Sequence, residues 1–130
     1  MAIKINSTNI TNGTVHYTDH VDNISEIEWN EHPKFKGVYI KNIIQGFNSD
    51  GHFSSHLVKI DPNCSLETHN HEDHWELHEI IEGNGTCQLL DGTVDYHLGQ
   101  MTVIPMGVKH KVQAGENGLT LFAKFFPALL

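Results

Sequence analysis

Two spaced histidine stretches constrain this chain most. The first reads His69-Asn70-His71, then Glu76, then Gly83; the second reads Gly99, then Pro105, Gly107 and His110. His69 and His71 are two residues apart, so on a strand both side chains point to one face. Glu76 has the opposite parity, so a turn must separate it from them. The polar run Glu72-Asp73-His74 supplies that turn, and Glu76 then opens a returning strand that closes at Gly83. His110 follows Pro105-Met106-Gly107, whose composition is that of a tight turn, and a third strand can bring it to the same point. Three imidazoles and one carboxylate on adjacent strands form a ligand set for one divalent first-row metal: Fe, Mn, Ni, Zn or Cu.

These residues resemble the cupin superfamily, whose two motifs are commonly written G-x5-H-x-H-x(3,4)-E-x6-G and G-x5-P-x-G-x2-H-x3-N. Here the first reads Asn63-x5-His69-x-His71-x4-Glu76-x6-Gly83 and the second Gly99-x5-Pro105-x-Gly107-x2-His110-x3-Ala114. Every position that carries a ligand in the family is filled. Two framework positions depart from the pattern. Asn63 replaces the first Gly and tolerates the same left-handed backbone; Ala114 replaces a final Asn that is not a ligand. The resemblance implies an all-β fold: a single cupin-type double-stranded β-helix (jelly-roll) barrel with extra N-terminal strands. It also implies His69, His71, Glu76 and His110 as metal ligands. Small cupins with three His and one Glu resemble non-haem dioxygenases that cleave diketones or flavonols, and also metal-dependent lyases and isomerases. Other cupins bind a small ligand without turnover.

The pattern along the chain agrees with short strands separated by turns. Residues 1–35 read as an N-terminal extension, polar and irregular, with Ile3-Lys4-Ile5 and Thr14–Tyr17 as edge strands available for dimerisation. Ile24, Ile27 and Trp29 suit the outside of a barrel or a dimer interface, and a C2 homodimer is the expected assembly. Residues 36–130 read as the barrel. Strands are expected at 38–44, 52–60, 86–90, 93–98, 101–104, 109–113 and 119–126. Gly46–Gly51, Gly83-Asn84-Gly85, Asp91-Gly92 and Ala114–Gly118 are expected turns. At 130 residues the chain is one domain. Its start carries no signal-peptide pattern, and no apolar run reaches the length of a membrane span. Cys64 and Cys87 lack metal-site spacing and read as reduced thiols of a cytoplasmic protein.

Charge narrows the partners. The formal charge of −8 disfavours nucleic acid and anionic membranes. All basic residues are Lys; without Arg the chain lacks the usual bidentate clamp for carboxylates and phosphates. The expected partner is a small molecule that is not strongly anionic, although Lys59 or Lys124 could hold an anion. For acid–base work the candidates are His78, which shares parity with Glu76, and Tyr96, with Tyr39 behind them. Trp75 has the opposite parity and reads as packing. His16, His20 and His32 read as solvated surface residues, and His56 as a strand residue that could look inward.

Overall fold

A computed structural model describes residues 7–130 of the chain. A short helix, α1 (Ser7–Thr11), precedes a hairpin of β1 (Thr14–His16) and β2 (Val21–Asn23). A 3-10 turn, Ile24–Glu26, leads to β3 (Trp29–Glu31). Then follow β4 (Val38–Ile44), β5 (Ser54–Ile60), β6 (Ser65–His69), β7 (Trp75–Leu89), β8 (Gly92–Tyr96), β9 (Met101–Ile104) and β10 (His110–Phe126). Neighbouring strands run antiparallel in the order β3-β4-β5-β10-β7-β8, with β6 on β10 and β9 on β7. This is the expected all-β jelly-roll.

Two long strands build the barrel. The start of β7 pairs with β9 and its end with β8. The start of β10 pairs with β6 and its end with β5. The two strands pair with each other along most of their length, with register shifts between Ala114 and Leu119 and between Thr120 and Leu121. The expected turns at Gly83–Gly85 and Ala114–Gly118 are therefore corrected: both stretches are bends inside continuous strands. Their glycines serve close backbone approach rather than chain reversal. Gly83 has φ +81°, and a Cβ there would collide with the carbonyl oxygen of Gly118. Asn63 does adopt the left-handed backbone, at φ 62°.

The apolar interior contains Val38, Val58, Ile60, Ile80, Tyr96, Val112, Leu121 and Phe125. A second cluster lies on the other face of the strands. There Ile24, Ile10 and Val15 of the N-terminal region pack on Ile43, Leu57, Ile81 and Phe122. Parity explains the split: Val58 and Ile60 face inward, so Leu57 faces outward. Lys41 pins the N-terminal region in place. Its buried ammonium donates to the Ile24 carbonyl at 3.0 Å and stands 5.3 Å from the Trp29 ring centre.

The N-terminal expectations need adjusting. Ile3-Lys4-Ile5 lies outside the described residues. Among the described residues, Thr14–His16 pairs only with β2 and is not an edge of the barrel sheet, and residues read as irregular include a helix. Ile24 covers the chain's own barrel. Both cysteines are free thiols. Among the described residues, no helix is long and apolar enough to cross a membrane.

Candidate metal centre

Strand ends bring the predicted ligands together. His69 is the last residue of β6 and His110 the first of β10, and the two are cross-strand partners. His71 follows β6 by two residues, before the turn at Glu72-Asp73. Glu76 enters on β7 opposite Phe125. Nδ1 or Nε2 of His69 and His110 and a carboxylate oxygen of Glu76 all lie within 4.8 Å of one another. His71 stands slightly further out, its Nε2 3.9 Å from Glu76 Oε1.

Backbone carbonyls orient two of the rings. His69 Nδ1–H donates to the Glu67 carbonyl at 2.7 Å, and His110 Nδ1–H to the Val108 carbonyl at 3.0 Å. In the neutral rings Nε2 therefore carries the free lone pair, the form in which histidine ligates metals. His110 Nε2 and Glu76 Oε1 are buried, stand 3.1 Å apart, and complete no hydrogen bond. Buried polar atoms are rarely left so. A shared cation would satisfy both, and imidazole with carboxylate is a fitting donor set.

Electrostatics follow from burial. Glu76 is 3 % exposed. Burial alone would push its carboxyl up, but His78 and His110 beside it outweigh that and hold it well below the usual carboxylate range. Burial pushes His69 down to about 4 and lowers His71 as well. For His110, burial acts downward, but the Glu76 carboxylate prevails and raises it.

His78 and Tyr96 stand behind the carboxylate. His78 Nε2–H donates to Glu76 Oε2 at 2.6 Å, and in the neutral ring its Nδ1 accepts from the Tyr96 hydroxyl at 2.8 Å. Burial raises the Tyr96 phenol, which stays protonated and able to donate. Both residues are about 1 % exposed, and neither lines the adjoining cavity.

That cavity, about 310 Å³, opens beside His69, His71 and Glu76. Its apolar walls come from Phe35, Ile40, Leu66, Phe125 and Leu129. Its polar lining adds His32, Lys34, His56 and Asn70. His32, read as a solvated surface residue, is half-buried here. It stacks on Phe35 with ring centres 4.5 Å apart, and its Nδ1 accepts backbone N–H groups of Lys34 and Phe35. His56 is buried and does face inward. Its Nδ1–H donates to Asn42 Oδ1 at 2.7 Å, so its Nε2 accepts from the Ser54 hydroxyl at 2.8 Å. Sequence reasoning had a signal for His56, because it shares parity with inward Val58 and Ile60. Nothing in the spacing pointed to Lys34, Phe35 or Leu129.

The other named candidates lie elsewhere. Lys124 pairs with Glu79 at 2.5 Å, and Lys59 is exposed; neither lines the cavity. Tyr39 is also absent from its lining. Trp75 is 45 % exposed, so its expected packing role is corrected: it stands on the outer face, paired with Phe126.

Fold and site together define a small jelly-roll barrel with a histidine–carboxylate group at one end. The chain belongs to the Cupin domain family, whose model matches residues 56–122. Similar solved structures include KdgF from Halomonas sp., at 21% identity and a TM-score of 0.69, covering 79% of this chain and 90% of that one. A predicted oxalate decarboxylase from Thermotoga maritima is 20% identical with a TM-score of 0.73, over 79% of this chain and 95% of that one. An oxalate decarboxylase from Bacillus subtilis, which has Mn(II) centres, is 20% identical with a TM-score of 0.71, over 82% of this chain and 29% of that one. No curated protein matches the sequence. At these identities the likeness to solved structures shows the fold.

Proposed function

We propose that this cupin is a metal-dependent small-molecule enzyme of the non-haem dioxygenase type, with one divalent transition metal held by His69, His71, Glu76 and His110. The observation that carries the reading is the buried pair Glu76 Oε1 and His110 Nε2, without hydrogen-bond partners, beside a cavity with apolar walls. When bound, such a metal supplies Lewis acidity and, as iron or copper, redox chemistry. The protein's own part is to position and to exclude water. His78 and Tyr96 fix the Glu76 carboxylate and are positioning residues. Phe35, Ile40, Leu66, Phe125 and Leu129 surround the body of a ligand whose oxygen atoms face the histidines.

The cavity wall offers few groups for proton-transfer chemistry. A lyase or isomerase needs a free acid or base in reach of the substrate. Both His56 nitrogens are committed to Asn42 and Ser54, and His32 keeps only Nε2, its Nδ1 accepting from backbone N–H groups. Lys34 supports a metal-dependent lyase or isomerase as the second reading, because it lines the cavity. The oxalate decarboxylases among the similar folds point the same way.

The test is metal content of protein purified without chelator or nickel resin, then anaerobic iron loading and oxygen uptake with diketones and flavonols. Iron or copper with substrate-dependent uptake supports the dioxygenase. Zinc, manganese or nickel without uptake moves the assignment to the lyase or isomerase. His71→Ala and His110→Ala should each lose metal while the fold persists; stoichiometric metal in both variants overturns the ligand set.

A further inference from the structure

Beyond Phe126 the chain crosses the cavity edge, held from three directions. His74 Nδ1–H donates to the Pro127 carbonyl at 2.9 Å, and Ala128 N–H to the Gly51 carbonyl at 3.1 Å. Leu129 N–H donates to Ser54 Oγ at 2.9 Å, and Gly46 N–H to the Leu130 carbonyl. The segment also fits closely: a Cβ on Gly46 would stand 3.1 Å from Ala128 Cβ and from the Leu130 carbonyl oxygen. Ser54 joins this segment to the cavity wall. It is fully buried, accepts from Leu129 and donates to His56 Nε2. A continuous run of hydrogen bonds thus links Asn42, His56, Ser54 and the Leu129 backbone.

These ties present Leu129 inward. Its side chain lines the cavity and packs against the interior apolar cluster. Ile40, Leu66, His69, Glu76 and Phe125 of that cavity sit on strands, which regular pairing holds in place. Leu129 is held by backbone bonds of an irregular segment, so its side chain can change without loss of a sheet pair.

We propose that Pro127–Leu130 is a strap closing one wall of the ligand site, and that Leu129 sets how long an apolar chain the site accepts. The ligand class is a small uncharged molecule with an oxygen-donor head and an apolar body. This rests on the metal-site reading for the head, and on the cavity alone for the body.

The test uses straight-chain hydroxamic acids, from acetohydroxamic to octanohydroxamic acid, titrated calorimetrically into cobalt-loaded protein. In the wild type, affinity rises about fourfold per methylene while the chain is being buried, then stops rising at a definite length. Leu129→Ala should move that limit to longer chains by two or three carbons, and Leu129→Trp to shorter ones. Acetohydroxamic acid should bind all three proteins equally. The same limit in all three overturns the strap's role. Failure of every hydroxamic acid, acetohydroxamic acid included, would sink the metal reading instead. The strap is then read separately from amide shifts of metal-free protein titrated with propanol through octanol, where an unchanged length limit in Leu129→Ala again overturns it.

Discussion

Acidification should destabilise this barrel through the burial of His56. His56 is 3 % exposed, and burial pushes it down to about 4, against the opposing pull of Glu76. Its Nδ1 already donates to Asn42, so a second proton must go to Nε2, where the Ser54 hydroxyl now points. In the unfolded chain the ring titrates near 6.5. Between the two values the unfolded chain binds more protons, so stability rises with pH and is lost as pH falls. The contribution is fully present above the unfolded value and is lost progressively down to the folded one. From about pH 7.5 to about pH 4.5 it amounts to about 2.5 kcal/mol. His69 and His71 titrate in the same direction, so the wild-type curve alone does not isolate it. Urea unfolding across this range for the wild type and His56→Gln does, because the shared contributions cancel in the difference. The wild type should lose about 2.5 kcal/mol more than the variant. Parallel curves would mean that His56 is free to protonate in the folded state, and that its hydrogen-bonded run to the strap is misassigned.

Two further outcomes test the parts around the site. Tyr96→Phe removes the hydroxyl that stands 2.8 Å from His78 Nδ1; metal affinity should fall about 10–100-fold, with about 1–3 kcal/mol of stability. Competition against a chromophoric chelator measures the first, and unchanged affinity would detach Tyr96 and His78 from the carboxylate's positioning. Gly83→Ala sets a Cβ against the Gly118 carbonyl at φ +81°, so it should cost more than about 2 kcal/mol; a melting temperature equal to the wild type would show that the two long strands do not cross so closely.

Sequence spacing brought out the histidine–carboxylate group because that group is built at strand ends. Parity placed His69 and His71 on one face, the Glu72–His74 turn returned the chain at Glu76, and Pro105–Gly107 delivered His110. The same logic failed at the two glycine-rich stretches. Glycine marks both chain reversal and close backbone approach, and only pairing distant in sequence, Gly83 against Gly118, distinguishes them. His56 shared the parity of Val58 and Ile60, but the burial pattern left its direction open. From Ser54 to Val58 every residue of β5 is buried, because the interior covers one face and Ile24 with its neighbours covers the other. Burial on both faces erases the alternation that reveals which side chains look inward. The walls from Lys34, Phe35 and Leu129 have no periodicity at all, since they come from loops.

The absence of arginine has a sharper consequence inside the barrel than at its surface. Glu76 is a buried carboxylate, and such a charge is costly unless it is paired. The lysines whose ion pairs or hydrogen bonds are resolved are engaged elsewhere: Lys41 under the N-terminal region, Lys111 with Glu67, Lys124 with Glu79. The charged or chargeable partners near Glu76 are histidines: His71, His78 and His110. Histidine can answer a carboxylate in two ways, by taking a proton or by sharing a metal with it. Burial presses His69 and His71 toward the neutral form, while the carboxylate presses His110 the other way. A divalent cation would resolve this opposition, because it would neutralise Glu76 and leave each imidazole that held it uncharged. An arginine at the same place would hold the carboxylate permanently and remove the reason for a metal to bind. On the proposed reading, the lysine-only, histidine-rich composition leaves this carboxylate available as a ligand.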